Sequence, residues 1–223
     1  MKKFELTNEF ITNMFGTKLF RIRALVEFGD VEAGELGGYV EKESNLGHDD
    51  NAWVYDNAWV YGDAQVSGDA LVYDNARVYG NARVYDNAWV YGNAQVSGNA
   101  RVYGDARVCG NALVYDNAWV YDNAWVYGNA QVSGDARVCG NGDYAYAHGF
   151  GSVNRTTTFF RLKDGGVGVR CGCFYGTLAQ FRDKIRETHG ETKKAQEYLM
   201  LADLMELRFE EDENEVGNRK YVE

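Results

Sequence analysis

Apolar residues in this chain recur with a period of six through its middle and with other periods at its two ends. From Val54 to Val138 a valine stands at every sixth position, fifteen in succession, each four residues before an alanine or glycine. The unit reads V-[YSC]-[GD]-[ND]-A-[WRQL], as in "VYGNAR" from Val78 to Arg83. Neither a helix nor a simple alternating strand has that period, whereas a solenoid of short strands and corners does. Strand alternation sends Ala and Val to one side and the residues flanking each valine to the other. The Gly/Asp and Asn/Asp pair makes the corner, because these residues tolerate left-handed backbone angles or hydrogen-bond their own turn. Three corners close a triangular coil of eighteen residues, so fifteen units predict five coils. At the usual strand spacing they span about 24 Å. The predicted interior is a stack of Val and Ala too tight for a ligand.

The flanks follow other patterns. Residues 1–50 are predicted as an N-terminal β cap: "KLFRIRALVEF" (Lys18 to Phe28) is strand-like, and the glycine-rich "GDVEAGELGGYV" turns the chain into the repeats. Val40 and Leu46 already lie six apart, before two extra residues near His48 break the count. Residues 51–142 form the repeat prism, and residues 143–210 a small α+β module. There "TTTFFRLKDGGVGVRCGCFYG" predicts a hairpin turning at Lys163-Asp164-Gly165-Gly166, with Cys171 and Cys173 on the same side of one strand. Thr177 with Gln180 is a capping-box signal for a helix bearing Leu178, Phe181 and Ile185, ended by His189-Gly190. A second helix from about Thr192 puts Ala195, Tyr198, Leu199, Ala202, Met205 and Phe209 on one stripe. Residues 211–223 are expected to be an acidic flexible tail, continuing a run from Glu210 to Glu215.

Charge narrows the partners. A formal charge of −10 and a pI near 4.9 argue against wrapping a long nucleic acid, which needs basic patches. They leave room for a small nucleotide in a local basic pocket. No apolar run reaches transmembrane length and the N-terminus lacks a signal-peptide core, so a cytoplasmic protein with no membrane partner is expected. The absence of proline suits a chain that is mostly strand ladder. The four cysteines make no disulfide framework, since Cys109 and Cys139 stand in for repeat tyrosines.

The repeats resemble the hexapeptide-repeat, left-handed parallel β-helix superfamily, whose unit has an aliphatic residue, two corner positions and then a small residue. The resemblance implies a mainly β, left-handed parallel β-helix of about five coils, with the β cap before it and the hairpin plus two helices after it. Many members are trimeric acyltransferases using acetyl-CoA; others are metal enzymes or non-catalytic scaffolds. The flanks "RIRALVEFGDVEAGELGGYVEKESNL" and "RTTTFF…CGCFYGTLAQF" are similar to uncharacterised phage and prophage hexapeptide proteins. Two departures from the acyltransferase pattern stand out. No histidine lies between Val54 and Val138, and no extruded loop interrupts the count; the position after Val is tyrosine ten times in fifteen.

Sorting outward positions by eighteen gives three faces. The first collects Trp53, Tyr55, Tyr73, Trp89, Tyr91, Trp125 and Tyr127, seven aromatics in ten positions. Aromatic ladders stabilise a solenoid by themselves, yet at roughly 150–250 Å² per ring this face exceeds the few hundred Å² of apolar patch that a monomer usually exposes. It is expected to be covered, by subunits of a cyclic trimer or by the cap helices. The third face carries Arg83, Tyr85, Arg101, Tyr103, Tyr121 and Arg137, including three of the five repeat arginines. Guanidinium forks suit phosphates and flat tyrosines suit bases or sugars, so these six are the candidate ligand residues.

His48 and His148 flank the repeats as candidate catalytic bases, without an obvious partner to orient either. Cys171 and Cys173 supply at most half a zinc site, and neither a metal nor a cofactor is expected. The expected function is a non-enzymatic binding or assembly protein of phage or prophage type. It would oligomerise through its aromatic faces and hold a host protein or a small nucleotide-like ligand, inhibiting a defence protein or sequestering a signal. The alternative is a trimeric acetyl-CoA acyltransferase with His148 or His48 as base.

Overall fold

The structure, a computed structural model, describes residues 2–151 and 154–210. The cap contributes β1 (Phe4–Thr12), β2 (Lys18–Ala24) and β3 (Leu36–Val40). Each repeat then supplies one two-residue strand, from β4 (Trp53–Val54) to β18 (Arg137–Val138). These stack into three parallel sheets in which every strand pairs with the one eighteen residues on, as Leu71↔Trp89↔Arg107 shows. All fifteen valines and the alanines between them are buried, so the six-residue period is the period of the core. The chain is mainly β and forms a parallel β-solenoid.

Two of the three faces run one layer further than the fifteen repeats. β3 pairs in parallel with β5 (Trp59–Val60) through Tyr39↔Trp59 and Val40↔Val60, and Leu46 bridges Val66. The solenoid therefore makes about six turns, because Val40 and Leu46 fill valine positions although the loop at His48 breaks the count. At the corners, Asp56, Asp74, Asp86, Asp116, Asp122 and the matching glycines adopt φ between +51° and +72°. Aspartate earns its place there through a hydrogen bond to the next coil: Asp74 Oδ2 accepts from the Gly92 N–H at 3.0 Å. The second corner position builds an amide ladder, Asn81 to Asn99 at 3.2 Å and Asn99 to Asn117 at 3.1 Å.

Both ends of the prism are plugged. At the first, Trp53 is fully buried against Phe4, Phe28 and Tyr55, and a Cβ on Gly37 would collide with its ring. This removes Trp53 from the exposed aromatic set expected on the first face. The Lys3 ammonium donates to the Asp50 and Ala52 carbonyls at 3.2 and 2.9 Å, and burial lowers its pKa to about 8. The Asn45 amide donates to the Gly62 and Ala64 carbonyls at 3.0 and 2.8 Å. Orphaned ladder carbonyls are thus satisfied by side chains.

The other end is closed by a four-stranded antiparallel sheet, β19 (Tyr144–Phe150), β20 (Arg155–Arg161), β21 (Val167–Cys171) and β22 (Phe174–Thr177). The expected hairpin is β20–β21, and β19 and β22 widen it. β20 is the seam: Phe160 joins the prism core with Tyr144, while its neighbour Phe159 joins a second core beneath the helices. Cys171 and Cys173 do not share a strand. Gly172 (φ +59°) and Cys173 form the turn, and Cys171 pairs with Phe174.

Helix α1 (Leu178–His189) opens on the expected capping box, with Thr177 Oγ1 accepting from the Gln180 N–H and the Gln180 side chain accepting from the Thr177 N–H at 2.9 Å. Gly190 caps its end. Helix α2 (Lys193–Phe209) buries Ala195, Tyr198, Ala202, Met205 and Phe209, with Leu199 only half-buried. The acidic run beyond Glu210 and the expected tail lie outside the described residues.

The corner geometry orders two substitutions at one site. Gly80 has φ +72°, and a Cβ there would sit 3.1 Å from the Gly98 nitrogen. Gly80→Ala should cost about 1 kcal/mol or more. Gly80→Asp should cost less despite its size, because its carboxylate can accept from the Gly98 N–H as Asp74 does from Gly92. Denaturant unfolding of the two variants checks the order.

Candidate functional site

The third face is built by β6 (Gln65–Val66), β9 (Arg83–Val84), β12 (Arg101–Val102), β15 (Trp119–Val120) and β18, in the register Gln65↔Arg83↔Arg101↔Trp119↔Arg137. One column therefore alternates cations with an indole. Arg101 and Arg137, its neighbours on the two adjacent coils, lie over the Trp119 ring, 4.7 and 4.1 Å from its centroid. The parallel column stacks Tyr85, Tyr103 and Tyr121 at 4.9 and 5.2 Å with interplanar angles of 2° and 8°.

The six candidate ligand residues separate under this geometry. Tyr121 is buried at 6% exposure, and the Arg137 guanidinium is spent on the Trp119 ring and on the Ala136 and Asn117 carbonyls at 2.8 and 3.1 Å. Those two hold the prism together. Arg83, Tyr85 and Arg101 instead line a shallow cavity of about 200 Å³ with Gln65 and Ser67. Gln65 and Ser67 were absent from the sequence-based set, although their place one coil earlier in the same columns is visible in the eighteen-residue sorting. Among the described residues, no carboxylate pairs with Arg83 or Arg101: the ion pairs lie in the cap, at Lys42–Asp63 and in the helices. Tyr103 stacks on Tyr85 behind the cavity and supports that ring. Burial, reinforced by Tyr85, pushes its phenol up to about 12.

The first face is a ladder with a gap. Tyr73 and Tyr91 stack at 4.8 Å, and Arg107 lies 4.7 Å over the Trp89 ring. At Cys109 the tyrosine column is interrupted, and the Trp125 indole N–H donates to Cys109 Sγ at 3.1 Å. Trp125 and Tyr127 beyond it are 42% and 47% exposed. Tyr55, Tyr73, Trp89 and Tyr91 are half-buried by their own ladder contacts. The cap covers Trp53, Tyr144 and Tyr146 of β19 meet Tyr127 edge-on, and Arg208 of α2 reaches the edge of the face at Asn141.

The two histidines differ. His48 stacks on Phe4, its Nδ1 accepts from the Lys3 N–H at 3.2 Å, and its Nε2 meets Glu43 at 3.0 Å, so both ring nitrogens are engaged. His148 lies exposed on β19 with its Nδ1 2.9 Å from Thr156 Oγ1. Neither has a carboxylate and a substrate-facing nitrogen together, as a positioned base requires. Among the described residues, no group of three His, Cys, Asp or Glu side chains could hold a metal ion. Among the described residues, no helix is long and apolar enough to cross a membrane.

A family model for the YdcK β-solenoid repeat matches residues 64–78, 76–92, 94–108, 106–122 and 118–134. All five matches fall inside the prism and overlap the stacked strands one coil after another. The chain is a β-solenoid repeat protein. No curated protein matches it. The flanking cap and helical module of this solenoid lie outside the matched repeats, and so does Arg137.

Stacked tyrosines give the solenoid a high-pH signature. Burial raises Tyr91 and Tyr103 to about 12, with Cys109 reinforcing Tyr91. Below pH 10 these phenols are neutral in both folded and unfolded chains, and their contribution is complete. Above it the unfolded chain loses protons first, so stability falls between pH about 10 and about 12. Ultraviolet titration should show a late-ionising group of phenols, and Tyr103→Phe should flatten the fall in that window.

Proposed function

We propose that this solenoid is a non-enzymatic binding and assembly protein whose third face holds a small anionic ligand with a planar ring. The observation that carries the reading is the Arg83–Arg101 pair: two guanidinium groups on adjacent coils, beside the Tyr85 ring and without a carboxylate partner among the described residues. A guanidinium fork donates to phosphate or carboxylate oxygens in two-point contacts, and the tyrosine edge gives a ring a place to lie. Stacking accounts for Arg101 on its Trp119 side but not for Arg83. Each stacked aromatic pair contributes about 0.5–1.5 kcal/mol beyond burial, which justifies the tyrosine columns alone.

The similarity of both flanks to phage and prophage hexapeptide-repeat proteins supports a host component as the molecule held, in the host cytoplasm. A nucleotide signal fits the cavity better than a protein, because the cavity is small and its cations are local. The partly exposed first face supports self-association, with a cyclic trimer as the expected form. The acyltransferase reading loses support from His48, whose two nitrogens are both committed to the cap.

Native mass spectrometry of the gently purified protein tests both parts. An oligomer carrying added mass is expected, and Arg101→Ala or Tyr103→Ala should strip the added mass while leaving the subunit count unchanged. Adenosine monophosphate, supplied as a probe, should bind the wild type and not Arg101→Ala. Equal binding by both would reduce this face to ordinary surface. Trp89→Glu should dissociate the oligomer, and an unchanged mass would move the interface off the first face.

A further inference from the structure

The C-terminal module contains a second cavity, of about 270 Å³, that shares no residue with the prism face described above. Phe174, Phe181, Ile185 and Tyr198 give it an apolar floor. Arg155, Lys184 and His189 stand around it, and no Asp or Glu lines it, in a chain whose net charge is −10. The charged side chains of the lining, Arg155 and Lys184, are thus both cationic, against the protein's overall charge.

The lining is held in place from several sides. The Tyr198 hydroxyl donates to the Phe150 carbonyl at 3.3 Å, and its ring stacks on His189 at 6.0 Å and meets Phe181 edge-on at 5.8 Å. Burial, with Cys171 beside it, keeps this phenol neutral up to about pH 12. The Arg155 guanidinium lies across the β21–β22 turn, and a Cβ on Gly172 would occupy its space. That glycine serves two ends: its φ of +59° makes the turn, and its missing side chain seats Arg155 at the cavity. The ion pairs of the module among the described residues are Arg182 with Asp203 and Glu206, Lys184 with Glu187, and Arg186 with Asp183. Arg155 has none. Lys184 is held only by an exposed pair with Glu187, of a kind worth about 0–1 kcal/mol, and can exchange it for a ligand oxygen at little cost.

We propose that this cavity binds a small organic anion, with its apolar body on the Phe174–Phe181–Ile185 floor and its phosphate or carboxylate head on the Arg155 guanidinium. Small-ligand sites combine a mostly apolar lining with a few placed polar groups, and this one matches that plan with a single charge sign. The cavity rests on different residues from the third-face reading, so either can fail alone.

Phenyl phosphate and neutral benzyl alcohol are suitable probes for calorimetric titration of the full chain. Phenyl phosphate should bind saturably and benzyl alcohol far more weakly. Arg155→Gln should weaken phenyl phosphate about tenfold, as expected for losing a charge-assisted two-point contact, with an unchanged thermal transition because Arg155 is exposed. Lys184→Gln should weaken it less, and Arg101→Gln on the prism should leave it unchanged. No saturable binding at millimolar probe, equal affinity of wild type and Arg155→Gln, or loss in Arg101→Gln instead would each overturn the proposal.

Discussion

Every coil of this solenoid depends on the next one for its backbone hydrogen bonds. The Trp89 N–H donates to the Ala106 carbonyl at 2.9 Å, Tyr91 to Val108 at 3.0 Å and Asn93 to Gly110 at 2.8 Å, and the pattern repeats coil after coil. A single coil has almost no internal ladder and cannot enclose its own valine. The stack therefore forms as a unit, and its two ends are its weak points. That explains why the most specialised polar chemistry is at the ends rather than along the middle. Lys3 and Asn45 cover carbonyls at one end, and at the other Thr158 Oγ1 accepts the Gln131 N–H while the Tyr144 hydroxyl donates to the Trp125 carbonyl at 2.6 Å. A buried lysine is costly to desolvate, but leaving several ladder carbonyls without donors costs more than one shifted ammonium.

The same repetition dictates what the outside can do. A side chain placed at one coil meets its counterpart eighteen residues on, at the spacing at which flat rings stack. Tyrosine after valine therefore produces columns automatically, and the exceptions are informative. Cys109 breaks the first-face column, and the Trp125 indole turns onto its sulfur; Cys139 ends the third-face column beyond Tyr121, with its sulfur 2.9 Å from Asp143 Oδ2. Arginine in such a column must either stack on a ring or face water. Arg77, Arg101, Arg107 and Arg137 each stack on one tryptophan. Among the described residues no ring lies over Arg83, and the cavity opens beside it and Arg101.

The prism was legible in the sequence because its period, its corner residues and its core all state the same geometry. Valine at every sixth position, alanine four later and Gly or Asp at the corner leave few other folds. The capping box at Thr177 and Gln180 was readable for a similar reason, since it is local. What resisted reading was non-local. Nothing near Trp53 in the chain says that Phe4 and Phe28 will bury it, so it looked like an exposed ring. β19 escaped because its Tyr144 and Tyr146 continue the aromatic habit of the repeats while pairing with a strand beyond a loop. Cys171 and Cys173 were placed on one strand because spacing of two suggests it, whereas Gly172 bends the backbone between them. Arg155 and His189 come together only through the docking of α1 and α2 on the sheet.

Charge decides between kinds of ligand. At physiological salt the field of an exposed charge fades over about 8 Å, so the corner carboxylates neither attract a distant anion nor prevent a close one from binding. A nucleic-acid polymer would have to lie along many of those carboxylates, with Asp56 and Asp74 on successive coils of one edge and Asp86 on another. A small anion meets only what lines its cavity. On the third face that is Arg83 and Arg101, and in the module it is Arg155, Lys184 and His189, with no acid in either lining. On the proposed reading, size separates the two kinds of anion: the corner carboxylates disfavour a long polyanion laid along them and leave the local contacts of a small one intact.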